Sequence, residues 1–167
     1  SALRQFLSQV KWGELDYLII DLPPGTGDVQ ISLIQIARVT GVVHVTTPQD
    51  VALQDVRRGV AMFAAQKIPT LGIIENMSYF ECPHCSQRTD VFGTGGGERT
   101  AAQLGIRFLG AIPLDSEVRA AGDSGMPIVL ARPDSSQARR FMEAAEQLAA
   151  QVSVLNFQQG AMQPAGA

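Results

Sequence analysis

Asp21-Leu-Pro-Pro-Gly-Thr-Gly-Asp28 closes the apolar run Tyr17-Leu18-Ile19-Ile20. The pattern predicts an acidic residue at the C-terminal tip of a buried strand, followed by a tight turn. Open α/β sheets bind their ligands along that edge. In nucleotide hydrolases an Asp there holds Mg²⁺, usually through water, and a following glycine offers its N–H to the terminal phosphate. Pro23 and Pro24 stiffen the exit, while Gly25 and Gly27 let the backbone approach a ligand closely. Asp28 then opens a helix, whose first N–H groups favour anions. A capping carboxylate with no ligand is the plainer reading of Asp21. A second chemistry sits at Cys82-Pro-His-Cys85, which holds the only two cysteines of the chain. Cys-x-x-Cys places two thiolates within reach of one metal centre.

No Gly-x-x-x-x-Gly-Lys-[Ser/Thr] phosphate loop occurs in the sequence. Gly93-Thr-Gly-Gly-Gly97 lacks the Lys and the hydroxyl that such a loop needs. It reads as a flexible hinge beside the cysteines, or as an anion nest opening the next helix. Structural zinc and 4Fe–4S clusters both usually need four ligands, and one chain offers two cysteines. A two-fold homodimer would supply two from each partner. Met77-Ser-Tyr-Phe80 sets apolar and aromatic groups beside the site. His84 is a weaker candidate ligand, since the cysteines already serve. Zinc shared across a dimer stays open, as does a redox dithiol of the kind found in thioredoxin-fold oxidants. That fold continues straight into a helix, and Ser86–Asp90 carries no apolar helical face.

The elements that must position these residues follow from periodicity. Leu3, Phe6, Leu7 and Val10 fall at helical spacing. Leu15–Asp21 predicts a buried strand, and Asp28 to about Ala37 a helix with Val29, Leu33 and Ile36 on one side. Gly41–Thr47 is a second strand, in which His44 reads as a satisfied core histidine. Pro48 ends it and Asp50 can cap the next helix, with Val56, Val60 and Phe63 inward. Thr70–Glu75 is a third strand. A loop over 76–97 carries both cysteines. A helix near 98–104, a strand over 108–112 ended by Pro113, and a short helix from Asp115 to Ala121 follow. The last helix spans about 136–152, with Ala138, Phe141, Met142, Ala145, Leu148, Ala149 and Val152 inward. Residues 153–167 read as a disordered tail. Trp12 is expected to pack the first helix against the sheet edge. Strands that alternate with helices, each a near-continuous apolar run, predict an α/β fold: a parallel sheet flanked by helices.

The 167 residues suit one domain, here 1–152, with net charge −3 and pI near 5.3. That balance offers no basic field for nucleic acid. No apolar run approaches the ~20 residues that cross a bilayer, and no signal segment opens the chain. No membrane partner is expected, and the cytoplasm is the expected compartment.

Taken in order, Leu18–Asp28, Val45-Thr-Thr-Pro-Gln49, Glu75-Asn-Met-Ser78, Cys82–Cys85, Phe92–Gly97 and Ile112-Pro-Leu-Asp115 resemble the Mrp-type iron–sulfur cluster carrier ATPases. These are deviant-Walker P-loop NTPases related to MinD and the nitrogenase iron protein, and the resemblance covers residues 3–152. It implies that Asp21 stands near Mg²⁺ and that Pro23, Pro24 and Gly25 form a switch sensing the γ-phosphate. It also implies that Asn76 reads the adenine edge, that Pro113 packs beside the base, and that Cys82 and Cys85 ligate a 4Fe–4S cluster bridging a homodimer for delivery to apo iron–sulfur proteins. Members of the family carry a phosphate loop N-terminal to anything in this sequence. The sequence therefore reads as the C-terminal half or two-thirds of such a protein. ATP–Mg²⁺ belongs to the intact parent, and negligible ATP hydrolysis is expected here. A non-catalytic zinc-linked interaction module is one other reading, and a partitioning or scaffold ATPase of the same superfamily is the second. It would want a basic surface or a cationic amphipathic end helix, and the last predicted helix instead places Glu143 and Glu146 beside Arg139-Arg140.

Overall fold

The computed structural model describes residues 2–25 and 27–161. In chain order the elements are α1 (Ala2–Gln9), α2 (Asp28–Ile36), β1 (Val42–Thr46), α3 (Asp50–Ala65), β2 (Thr70–Glu75), β3 (Phe80–Glu81), β4 (Arg88–Thr89), α4 (Gly96–Leu104), β5 (Phe108–Ala111), α5 (Ser116–Asp123), α6 (Ile128–Ala131) and α7 (Ser136–Ala161). Strands β1, β2 and β5 form a parallel sheet in the order β1-β2-β5. Parallel neighbours need a long crossover. Helix α3 supplies the first, and the β3–β4 segment with α4 supplies the second. One face of the sheet is closed by α3 and α4, where Val56, Ile73 and Ala101 pack with Val60, Ile106 and Phe108. Helix α7, with α6 against it, covers the β2–β5 side. The contact is close because Ala138 and Ala144 on α7 are small and buried, and Gly110 faces Ala144.

The fold agrees with the predicted α/β class, a parallel sheet flanked by helices, and departs from expectation at several elements. Leu15–Asp21 is not a strand: no strand of the sheet pairs with it, and Ile19 is 81% exposed. A β-branched run becomes a strand only where a neighbour takes its N–H and C=O groups, and the β1 edge, with Val45 outward, pairs with β2 alone. Helix α7 continues to Ala161, so residues 153–161 are helical rather than a disordered tail; the rest of that expected tail lies outside the described residues. No proline interrupts the helix before Pro164, and Leu155 remains half-buried, which carries it past the predicted end. Phe141, Met142 and Ala145 are exposed, so the inward stripe of α7 runs through Ala138, Ala144 and Leu148. The loop over 76–97 contains the β3–β4 hairpin, and the short helix α6 was not anticipated. Trp12 is half exposed, and its indole N–H donates to the Phe6 carbonyl at 3.0 Å.

His44 stacks edge-to-face on Phe63 with ring centroids 5.9 Å apart, but among the described residues its buried Nε2 has no hydrogen-bond partner. It is a core histidine without the expected satisfaction. Burial holds its pKa below the ordinary 6.5.

Gly96 and Gly97 form the packed start of α4, and are not a hinge. A Cβ on Gly96 would stand 2.6 Å from the Pro48 carbonyl oxygen, and one on Gly97 would stand 3.1 Å from both Cβ and Oε2 of Glu75. The absent side chains let α4 reach the C-terminal ends of β1 and β2. Gly97→Ala should therefore lower stability by about 1–3 kcal/mol through overpacking. The shift of the urea midpoint relative to the unsubstituted chain measures it, and an unchanged midpoint contradicts the close packing.

Candidate functional site

Three regions collect the predicted site residues. At the C-terminal ends of β2 and β5, Asn76 and Pro113 occupy adjacent strand exits. The Asn76 N–H donates to the Thr46 carbonyl at 2.7 Å, and the Ile112 N–H donates to the Glu75 carbonyl at 2.8 Å. Pro113 is buried and Asn76 half-buried, so the sheet fixes both. The Asn76 Oδ1 accepts from the Met77 N–H at 3.0 Å. Met77 itself adopts the left-handed conformation, φ 53°, which turns the chain sharply away from β2. Asp115, just beyond Pro113, caps α5 by accepting from the Glu117 N–H at 2.6 Å. Its other oxygen accepts from Gln137 Nε2 at 2.7 Å. Asp115 and Gln137 line a cleft beside Pro113 together with Tyr79 and Arg140.

Asp21, Pro23, Pro24 and Gly25 form a separate, exposed turn ahead of α2. Gly25 has φ 94°, which an L side chain rarely adopts. Gln30 organises this turn, and sequence reasoning passed over it. It is 3% exposed, and its Nε2 donates to the carbonyls of both Pro23 and Gly25 at 2.8 Å. A polar residue on the first turn of a predicted amphipathic helix was the available signal. Among the described residues the hydrogen bonds of this turn run only to Gln30, so the structure does not join Asp21 to the Asn76–Pro113 edge.

The cysteines lie at the tip of the β3–β4 hairpin. The strands pair antiparallel, Phe80 with Thr89 and Glu81 with Arg88. The hairpin is seated on the domain by a bridge from Phe80 to Leu114 and by the Leu114 N–H, which donates to the Tyr79 carbonyl at 2.7 Å. The Arg88 guanidinium lies 4.1 Å over the Tyr79 ring and covers the base of the hairpin. At the tip the chain folds back on itself. The Cys82 N–H donates to the Gln87 carbonyl at 3.0 Å, and the Ser86 N–H donates to the Cys82 carbonyl at 2.8 Å. Ser86 completes the reversal at φ 56°. Both thiols are free, Cys82 half-buried and Cys85 exposed. The backbone N–H of His84, then that of Cys85, then the Cys85 thiol hold the Cys82 pKa below its ordinary value. Backbone donors aimed at a sulfur favour the thiolate, the form that binds metal. The chain leaves the motif as a strand. The redox-dithiol reading, which needs a helix there, therefore loses its structural basis. His84 is exposed beside the pair. Among the described residues no cluster of three or more His, Cys, Asp or Glu side chains could hold a metal ion.

A parallel sheet with candidate ligand residues at its C-terminal edge, joined to a hairpin that carries two free thiols, defines an α/β protein of the class that binds ligands at that edge. A family model for ParA-type proteins, described as NUBPL iron-transfer P-loop NTPase, matches residues 1–149, and this chain belongs to that family. Among curated relatives, the iron-sulfur cluster transfer protein NUBPL of Dictyostelium discoideum is 48% identical over 93% of this chain and 48% of its own length. The iron-sulfur cluster carrier protein of Deinococcus radiodurans is 53% identical over 92% of this chain and 43% of its own length. The chain thus spans about half the length of the curated relatives it matches. A nucleotide-binding protein from Archaeoglobus fulgidus, solved in complex with ADP, is 46% identical with a TM-score of 0.68 over 74% of this chain and 51% of that one. The cell division ATPase MinD of Pyrococcus furiosus shares the fold, with a TM-score of 0.66 over 87% of this chain and 56% of that one, at 21% identity. Among the described residues no helix is long and apolar enough to cross a membrane.

Because Gln30 bonds two successive parts of the Pro23–Gly25 turn, Gln30→Ala should release it. Removing two amide–carbonyl bonds costs about 1–3 kcal/mol in all. The urea midpoint should fall by the corresponding amount, and an unchanged midpoint contradicts the assignment.

Proposed function

We propose that this chain carries an iron–sulfur cluster, held by Cys82 and Cys85 together with the same pair from a second copy, and delivers it to apo iron–sulfur proteins. The observation that carries this reading is the hairpin tip. It presents two free thiols on a chain reversal whose backbone N–H groups favour the thiolate of Cys82. Two thiolates leave a four-ligand centre half complete, so a symmetric pair of chains is the simplest completion. The names of the Dictyostelium and Deinococcus relatives support the cargo.

The nucleotide side of the proposal concerns the parent protein. ATP with Mg²⁺ would sit at the C-terminal sheet edge with Asn76 and Pro113 toward the base, and the turn of Asp21, Pro23, Pro24 and Gly25, which stands apart from that edge in this chain, would meet the metal and the terminal phosphate only in the parent protein. The ADP complex of the Archaeoglobus relative supports a nucleotide as the ligand. Phosphoryl transfer needs a phosphate loop and its Lys, which the 167 residues do not contain. The proposed role of this segment is therefore cargo binding and switching rather than hydrolysis by itself. The switch would work by biasing two arrangements of the pair of chains, one of which grips the cluster better. A reducing compartment such as the cytoplasm keeps both thiols available.

Zinc shared by the same four thiolates is the competing cargo, because the hairpin offers zinc the same donors. Anaerobic reconstitution with iron and sulfide, followed by quantitation of iron, sulfide and zinc, separates the two. About four irons and four sulfides per pair of chains, lost in Cys82→Ala, are expected. Zinc retained through reconstitution with no bound sulfide would overturn the carrier reading.

A further inference from the structure

The cysteine segment is an excursion that leaves the sheet after Glu75 and rejoins the domain at the start of α4. Successive rungs close its two limbs: Cys82 with Gln87, Glu81 with Arg88, and Phe80 with Thr89. The outermost rung is of another kind. Glu75 accepts from the Ser78 hydroxyl through Oε1 and from the Gly97 N–H through Oε2, both at 2.5 Å. One carboxylate therefore grips the entry limb and the exit limb together. The entry limb has further ties, since the Ser78 N–H donates to the Ile112 carbonyl and the Leu114 N–H to the Tyr79 carbonyl. The exit limb depends on Glu75: among the described residues no other hydrogen bond joins 90–97 to the sheet. Asp90 and Thr94 bond each other at 2.6 Å, which stiffens that limb without fastening it. Glu75 and Ser78 are 1% and 2% exposed, so water does not compete for these bonds.

From this arrangement we infer that Glu75 is a positioning residue: it clasps the neck of the cysteine excursion and so fixes where the thiol pair stands relative to its own domain. The consequence for a bound metal rests on the carrier reading. A centre completed by two chains needs each thiol pair at a set place on the chain that presents it, because a metal tolerates little error in its ligand positions. Glu75 touches no metal in this scheme and acts only through the two limbs. The carboxylate suits the task. Buried, it needs its lone pairs met, and the first N–H groups of a helix favour a negative charge. An amide of the same shape reaches the same two groups, since its oxygen accepts from Gly97 while its NH₂ donates to the Ser78 hydroxyl oxygen. Alanine reaches neither.

The test reads position directly, on the metal-free chain. One nitroxide is placed at Cys85, with Cys82→Ser to leave a single label on the hairpin. A second is placed through Glu146→Cys on the exposed side of α7, away from the clasp. Pulsed electron paramagnetic resonance then gives the distance between them. With Glu75 present, one narrow distance is expected. Glu75→Ala should broaden it or add a second distance, and Glu75→Gln should restore it. An unchanged distribution in a Glu75→Ala chain that is folded by its urea midpoint would overturn the inference, as would equal broadening by Glu75→Gln. If the alanine variant does not fold, Glu75→Asp, one methylene short of spanning both limbs, must broaden the distribution in its place. A second readout uses the chain with both cysteines and zinc as the metal. Folded Glu75→Ala should hold zinc against a chelator on the order of tenfold less tightly, the factor that one hydrogen bond to a charged group supplies. Unchanged retention contradicts the positioning role. If the unsubstituted chain takes up neither zinc nor cluster, the carrier reading fails by itself, and the distances still decide the clasp.

Discussion

The carboxylate of Glu75 is the interaction on which the placement of the rest depends. It ends β2 at 1% exposure, with Oε1 accepting from the Ser78 hydroxyl and Oε2 from the Gly97 N–H, both at 2.5 Å. Its backbone carbonyl accepts from Ile112, and its strand position is in register with Thr46 and Ala111. One residue thus joins β1, β2, β5, the start of α4 and the turn that leads to the hairpin. A buried carboxylate is tolerable only with its acceptor capacity met, and the positive end of a helix suits it well. That requirement explains Gly97 at the start of α4. A side chain at Gly97 would occupy the space the carboxylate needs.

From this fixed point the two ligand regions diverge. Asn76 follows Glu75 directly and stays on the sheet edge, while Met77 turns the chain outward and Ser78 is held by the same carboxylate. Three residues therefore separate the candidate base-reading position from the root of the cysteine hairpin. A displacement at the sheet edge would reach the hairpin through Glu75 and Ser78, and the Leu114 bridge beside Pro113 provides a second connection. The geometry provides a short, packed route between the two sites. Coupling along it is a matter of populations of two arrangements rather than of contact alone.

Much of this was legible in the sequence because it depends on local rules. The β-branched runs at Val42–Thr46 and Thr70–Glu75 have neighbours and became strands. Leu15–Asp21 has the same composition and no strand beside it, and remained irregular. Strand formation is a property of the pair, and a single run cannot announce whether its partner is present. Cys82 and Cys85 were found from spacing, but their asymmetry was not, since it arises from the chain reversal at Ser86. Gln30 and Glu75 were missed because a single polar residue in an element has no periodic signature. Their importance lies in the backbone groups they reach, five to twenty-two residues away. The glycine run shows the converse: its composition suggested freedom, and its packing removes it.

The central claim is that one chain holds half a metal centre. Native mass spectrometry of the anaerobically loaded chain tests it most directly. The account predicts that the cluster travels on a species of two chains and that chelation returns the protein to single chains. A stable single chain carrying the whole cluster would contradict it, because the ligands would then have to come from within one copy.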